Sequence, residues 1–170
     1  MNVKWLAAAA ALVPGGAVSM DLSSPDVAPG ATLPIAQVYS RCGGRNVAPA
    51  LKWSGAPTGT KSFVITMYDP DAHGGWWHWI AYAIPPNTTG LPSGGVLPPG
   101  ARTGTNDFGA REYDGACPPD GSGPHHYQIT VWAVKESTVP VEGADEGRMI
   151  GAYLSHYALA HATLTAIYER

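Results

Sequence analysis

Three runs of β-branched and aromatic residues, Ser62–Tyr68, Trp77–Ile84 and His125–Val134, constrain this chain most, because each is cut off by turn chemistry. Asp69-Pro70 stops the first and Pro85-Pro86 stops the second; a proline biases the residue before it away from helix. Glycine and proline make up over a fifth of the 170 residues, and charged residues only 14%. Long amphipathic helices need more Ala, Glu, Lys and Leu than the middle of the chain offers, so short strands joined by tight turns are expected. The length fits one domain.

Shorter pieces fill in the rest. Ile35–Tyr39 and Ala50–Trp53 read as short strands, and residues 87–114 as a long loop of the kind that carries function or drapes over a site. Gly143–Tyr157 is expected to hold one helix, with Met149, Ile150, Tyr153 and Leu154 on one face. Ala158–Tyr168 fits either a last strand or a continued helix.

The N-terminus has the layout of an export signal. Lys4 gives a positive start, Trp5–Val13 is apolar, and Ala17-Val18-Ser19 puts small residues where a signal peptidase cuts. The expected mature domain therefore runs 20–170, after a signal peptide of 1–19. Cleavage would remove Lys4 and leave 9 basic against 13 acidic residues, a net −4. The whole chain carries −3 with no basic run, which argues against nucleic acid as a partner, and no apolar stretch approaches a bilayer span, which argues against an integral membrane protein. Export makes a Cys42–Cys117 disulfide the expected use of the two cysteines, with two separate buried thiols as the alternative. Closing such a loop stabilises by about 4 kcal/mol in the chain-entropy model.

Four of the six histidines fall in two turn-rich segments, 69–79 and 117–127. Strand alternation sorts them. His125 and Tyr127 share a face with Ile129 and Val131, while His126, Gln128 and Thr130 point to a side that reads as solvated. His78 shares its face with Ile80, Tyr82 and Ile84, and Asp69 ends the face of Phe63, Ile65 and Met67. Taken singly, each has a plain structural use: Asp69 caps its own turn, and a histidine on a core stripe is most often a satisfied core group. Convergence of Asp69, His78, His125 and Tyr127 is what would make a pocket.

Two imidazoles and a tyrosine hydroxyl are donors to an anion, with glycine-rich turns adding backbone N–H groups. Asp69 would repel a dianion unless it were protonated or served to orient a donating histidine. If both histidines donate while protonated, affinity should fall as pH rises past about 6.5. A His-His-Asp zinc site is the rival, but no close ligand pair on one element supports it, and no metal or cofactor is expected. No Gly-x-Ser-x-Gly elbow is present, and a bridged Cys117 offers no thiolate.

These residues carry a resemblance. Asn46-Val47-Ala48-Pro49-Ala50-Leu51-Lys52-Trp53, Asp69-Pro70-Asp71-Ala72, Trp77-His78-Trp79, Asn106-Asp107-Phe108-Gly109, Tyr113-Asp114-Gly115 and Pro118-Pro119 through Gly123-Pro124-His125-His126-Tyr127 are spaced as in the phosphatidylethanolamine-binding protein family. The likeness is to its bacterial and archaeal branch, often labelled Raf kinase inhibitor-like, and covers about residues 33–169. It implies a mainly all-β fold: a central antiparallel sheet packed on a smaller one, with short C-terminal helices and a strand at Ala158–Tyr168. It also implies a surface pocket for phosphate-type anions or phospholipid headgroups, formed by Asp69, His78, Pro119, His125 and Tyr127 with Asp71 in support. Where the family usually reads Asp-Pro-Asp-Ala-Pro, this chain has His73 in place of the last proline.

The resulting expectation is a non-enzymatic, exported (periplasmic or extracellular) binding or regulatory protein. Inhibition of a serine peptidase, which the family also offers, is the alternative, and a hydrolase using Asp69 and His78 as acid and base a remote third. The sequence leaves a homodimer open.

Overall fold

The computed structural model describes residues 19–140 and 145–170. The expected signal peptide therefore lies, but for Ser19, outside the described residues, as do Gly143 and Ala144 of the expected helix. In chain order the elements are β1 (Asp21–Ser23), β2 (Leu51–Ser54), β3 (Ser62–Asp69), β4 (Trp76–Ile84), β5 (Gly90–Leu91), β6 (Arg102–Thr103), β7 (His125–Val134), α1 (Gly147–Tyr157) and β8 (Ala160–Tyr168). Strands β6-β4-β3-β7-β8 form one antiparallel sheet and β1-β2-β5 a smaller one. The mainly-β expectation holds.

The main core lies between the sheets. Leu51, Trp53 and Leu91 from the small sheet meet Phe63, Ile65, Met67, Trp79, Ile129 and Val131 from the large one. The rings of Trp53 and Phe63 pack edge to face across the gap, with centroids 5.4 Å apart. A second cluster covers the other side of the large sheet, where Val64, Ile80, Tyr82 and Val134 meet Ile150 and Leu154 of α1. Each of those two helix residues, fully buried, contributes about 2 kcal/mol.

Several expectations need correction. Ile35–Tyr39 is not a strand: Ile35–Gln37 is a 3₁₀ turn entered from Pro34, and Val38 makes only a single bridge, to Ala116. Met149 does not share the buried helix face; it is 44% exposed beside the buried Ile150. Thr130, read as solvated, is buried and bonded to Thr163 of β8 at 2.9 Å, beside the Trp132 side chain that donates to Thr66 opposite it. The long loop contains two short strands, β5 and β6.

The strand β4 departs twice from plain alternation. Against β3, Met67 pairs with Trp79 but Tyr68 pairs with Trp77, so His78 is an extra residue. Between Phe63–Ile84 and Ile65–Ala81 a second extra residue appears, where Ala83 takes a φ of 55°. These are β-bulges, which put two residues opposite one and re-aim the side chains. Ile80 and Tyr82, whose face His78 was expected to share, belong to the helix-side cluster. The first bulge instead turns His78 to the side of Trp79, Asp69 and Tyr127.

Candidate functional site: a histidine–carboxylate cleft

At the open end of β3, β4 and β7 lies a cleft of about 400 Å³. All six residues singled out from the sequence line it: Asp69, Asp71, His78, Pro119, His125 and Tyr127. Each reaches it from a strand end or the adjoining turn. Asp69 closes β3, His125 and Tyr127 open β7, and the wall carrying Cys117, Pro118 and Pro119 runs into β7. That wall is tied to a second 3₁₀ turn, Ser40–Cys42, by the Cys42–Cys117 disulfide, with Cα atoms 5.6 Å apart. The disulfide expectation thus holds in the structure.

Asp69 and His125 form the buried centre. The His125 Nδ1–H donates to Asp69 Oδ2 at 2.7 Å, with the two side chains 7% and 3% exposed. Asp69 Oδ1 accepts the backbone N–H groups of Asp71 (2.9 Å) and Ala72 (3.2 Å), so the turn holds the carboxylate and the carboxylate holds the ring. The opposite ring nitrogen, Nε2, meets the Ser122 hydroxyl at 3.1 Å. Asp69 therefore orients the histidine, one of the two ways its charge could be tolerated beside an anion. Asp69 bonds to the His125 ring and, among the described residues, to no atom of His78.

His78 is fixed from behind. Its Nδ1 stands 2.9 Å from the Asp114 carbonyl oxygen and 3.1 Å from that of Gly115. Those carbonyls are held in turn. The buried Asp114 carboxylate accepts from the side-chain amides of Asn106 (2.8 Å) and Asn46 (3.1 Å), and the Gly115 N–H donates to Asn46 Oδ1 (2.8 Å). Gly115 is required here, since a Cβ would run into the Gln37 carbonyl oxygen. Burial lowers the His78 pKa below its usual value, the two carbonyls and the charges of Asp69 and Asp114 opposing it only in part. His78 thus enters as a neutral ring, against the expectation that both histidines are cationic donors. The Tyr127 hydroxyl is pushed well above the usual tyrosine range, by burial first and the Asp69 charge second, and stays protonated.

Outside the buried centre, Asp71 accepts from the backbone N–H (2.7 Å) and Nδ1–H (2.8 Å) of the exposed His126. His73 lies in the lining of the cleft. Trp76, Phe108 and Ser122 also line it and were missed. Phe108 is the one large aromatic in a run of turn residues, held where the Asn106 side chain accepts the N–H groups of Phe108 and Ala110. Its ring lies against His78, Trp76 and Tyr39. Ser122 stands three residues before a candidate histidine, within a glycine-flanked turn, and that spacing could have marked it. Among the described residues no group of three His, Cys, Asp or Glu side chains is gathered as for a metal, and no helix is long and apolar enough to cross a membrane.

Fold and site together define a two-sheet antiparallel β protein with a histidine–carboxylate cleft at the ends of its central strands. The chain belongs to the phosphatidylethanolamine-binding protein family, whose model matches residues 23–169. It is 44% identical over 163 residues to YbcL of Escherichia coli, covering 90% of this chain and 89% of that one. To YbhB of the same organism it is 40% identical over 159 residues, covering 88% and 100%. To LppC of Mycobacterium tuberculosis, named a lipoprotein, it is 35% identical over 151 residues, covering 88% and 72%. The crystal structure of YbcL, titled a new member of the mammalian family, superposes with a TM-score of 0.84 at 42% identity, over 89% of this chain and 99% of that one.

Proposed function

We propose that this chain is a non-enzymatic binding protein whose cleft takes a phosphate-type anion or a phospholipid headgroup. The observation that carries the reading is the Asp69–His125–Ser122 chain of hydrogen bonds. The Asp69 carboxylate, buried and fed by two backbone N–H groups, sets the His125 ring so that its Nε2 meets the Ser122 hydroxyl in the lining of the cleft. The protonated Tyr127 hydroxyl adds a donor from the same strand. Site residues are then Asp69, His78, Pro119, His125 and Tyr127, with Asp71 holding the turn. Trp76 and Phe108 supply apolar walls of the sort small-ligand sites use.

Export of a mature domain spanning 20–170 belongs to the same proposal. The disulfide at the cleft wall and the lipoprotein name of one relative support it. Titration calorimetry with inorganic phosphate and phosphoethanolamine tests the binding reading: both are expected to bind, and His125→Ala to abolish binding while the protein stays folded. No binding of either anion by the wild type, or unchanged binding by His125→Ala, would overturn it.

A further inference from the structure

Resting on the reading of the cleft as an anion site, the geometry points to a ligand that must bring its own proton. We infer that His78 presents a bare Nε2 to the cleft, selecting the monoanion of a phosphate monoester, whose P–OH donates to that nitrogen. Phosphodiesters and sulfate esters, which carry no such hydrogen, are disfavoured.

The argument begins with what lies behind the ring. The carbonyl oxygens of Asp114 and Gly115, at 2.9 and 3.1 Å, can only accept, so Nδ1 carries a hydrogen whatever the charge of the ring. A neutral ring then has its lone pair on Nε2, which bonds to no protein group among the described residues while the ring lines the cleft. Burial favours that neutral state.

The groups around the ring point the same way. Asp69 on β3 and Asp71 and His73 on the following turn line the cleft, as do His125 and Tyr127 on β7, and Asp114 lies behind. No lysine or arginine lines it among the described residues. Arg170 approaches the Pro118 carbonyl oxygen at 2.8 Å and is paired with Asp120. Two carboxylates and no fixed cation make a poor host for a dianion but tolerate a monoanion. The Tyr127 hydroxyl stands ready for one of the remaining oxygens, while the Ser122 hydroxyl is engaged by the Pro119 carbonyl oxygen and His125 Nε2, leaving the His78 Nε2 lone pair as a built-in acceptor. An oxygen without a hydrogen placed there would face a lone pair and leave the buried nitrogen unpartnered.

Methyl phosphate and methyl sulfate isolate the proton, being alike in shape. At about pH 5.5 both are largely monoanions, since a phosphate monoester loses its second proton near a pKa of about 6. Calorimetric titration there should find methyl phosphate binding about tenfold or more tighter than methyl sulfate, with dimethyl phosphate as weak as the sulfate. If either proton-free ester matches methyl phosphate, the inference is overturned and the anion reading survives; if none of the three binds, the anion reading itself fails. In His78→Phe no lone pair faces the cleft, so the preference for phosphate over sulfate should collapse towards one. A preference that survives in a folded His78→Phe overturns the role of His78, and if that variant does not fold the wild-type ratio still decides. Flotation separates the sources of the monoester. Retention on vesicles carrying phosphatidic acid but not on those carrying phosphatidylethanolamine marks a lipid, while binding of methyl phosphate without retention marks a soluble ester. Equal retention on the two overturns the requirement for a proton.

Discussion

His125 and His126 are neighbours on β7, and each reaches an aspartate, at 2.7 Å to Asp69 at the end of β3 and 2.8 Å to Asp71 in the turn that follows. Sequence spacing, partner chemistry and distance barely differ. Exposure does: the side chains of the first pair are 7% and 3% exposed, those of the second 48% and 40%. Alternation along one strand separates them, sending His125 into the cleft and His126 into water. Water screens the outer pair and charges its side chains an entropy cost, so a similar bond length holds a far smaller free energy. The inner pair cannot be solvated if broken, which is what makes it a fixed part of the site.

Removing Asp69 should separate the pairs most. Asp69→Ala leaves His125 Nδ1 and two backbone N–H groups without an acceptor, and is expected to cost about 3–5 kcal/mol in chemical denaturation. Asp69→Asn keeps an acceptor oxygen but loses the charge, with an expected cost of about 1–2 kcal/mol and weakened anion binding. Asp71→Ala should cost less than about 1 kcal/mol; a loss matching that of Asp69→Ala would sink the argument that burial separates the pairs. Salt gives the smallest effect: near 1 M, where the Debye length is about 3 Å, the gap between wild type and Asp71→Ala should close while that of Asp69→Ala persists.

Acid sharpens the comparison further. The backbone and side-chain hydrogen bonds from His126 lower the Asp71 pKa below 3.8, so its contribution is present above that value and lost as pH falls through the lowered one. Asp71→Asn should lose that part of the acid transition. His78 acts at higher pH. Its folded pKa lies below 6.5, so the unfolded chain binds the proton more readily, and stability should decline as pH drops below 6.5 towards the folded value. A stability profile flat across that window would contradict a buried neutral ring.

The fold was legible where local chemistry is decisive. The apolar run His125–Val134 is β7 to the residue, and the proline stops delimit β3 and β4 to within a residue. Legibility failed wherever a distant element decides. Thr130 and Gln128 look solvated from β7 alone, but Thr130 is buried against Thr163 of β8, and nothing in β7 announces that neighbour. Ile35–Tyr39 has strand composition but no partner strand along its length, only the single bridge to Ala116. In the site, Asp69, His125 and Tyr127 followed from alternation because their strands are regular there. His78 was selected by the same rule although the rule fails at His78: a period of two assumes an unbroken ladder, and a bulge is a property of the pairing rather than of either strand.

Those two extra residues in β4 act as a phase slip introduced at one end of the strand and taken back at the other. Between them Trp79 and Ala81 keep time with the main core and Ile80 with the helix side; beyond the second slip Ile84 is again opposite Phe63. The strand thus carries two messages in different frames, one for the cleft and one for the core, and the frames are reconciled before the strand ends. Deleting His78 would close the first slip: Trp79 and Trp77 would alternate plainly opposite Met67 and Tyr68, Trp77 would keep its place over Gly147 and Gly151, and only the cleft would lose, its imidazole gone. Length in this strand is as much a specified quantity as sequence.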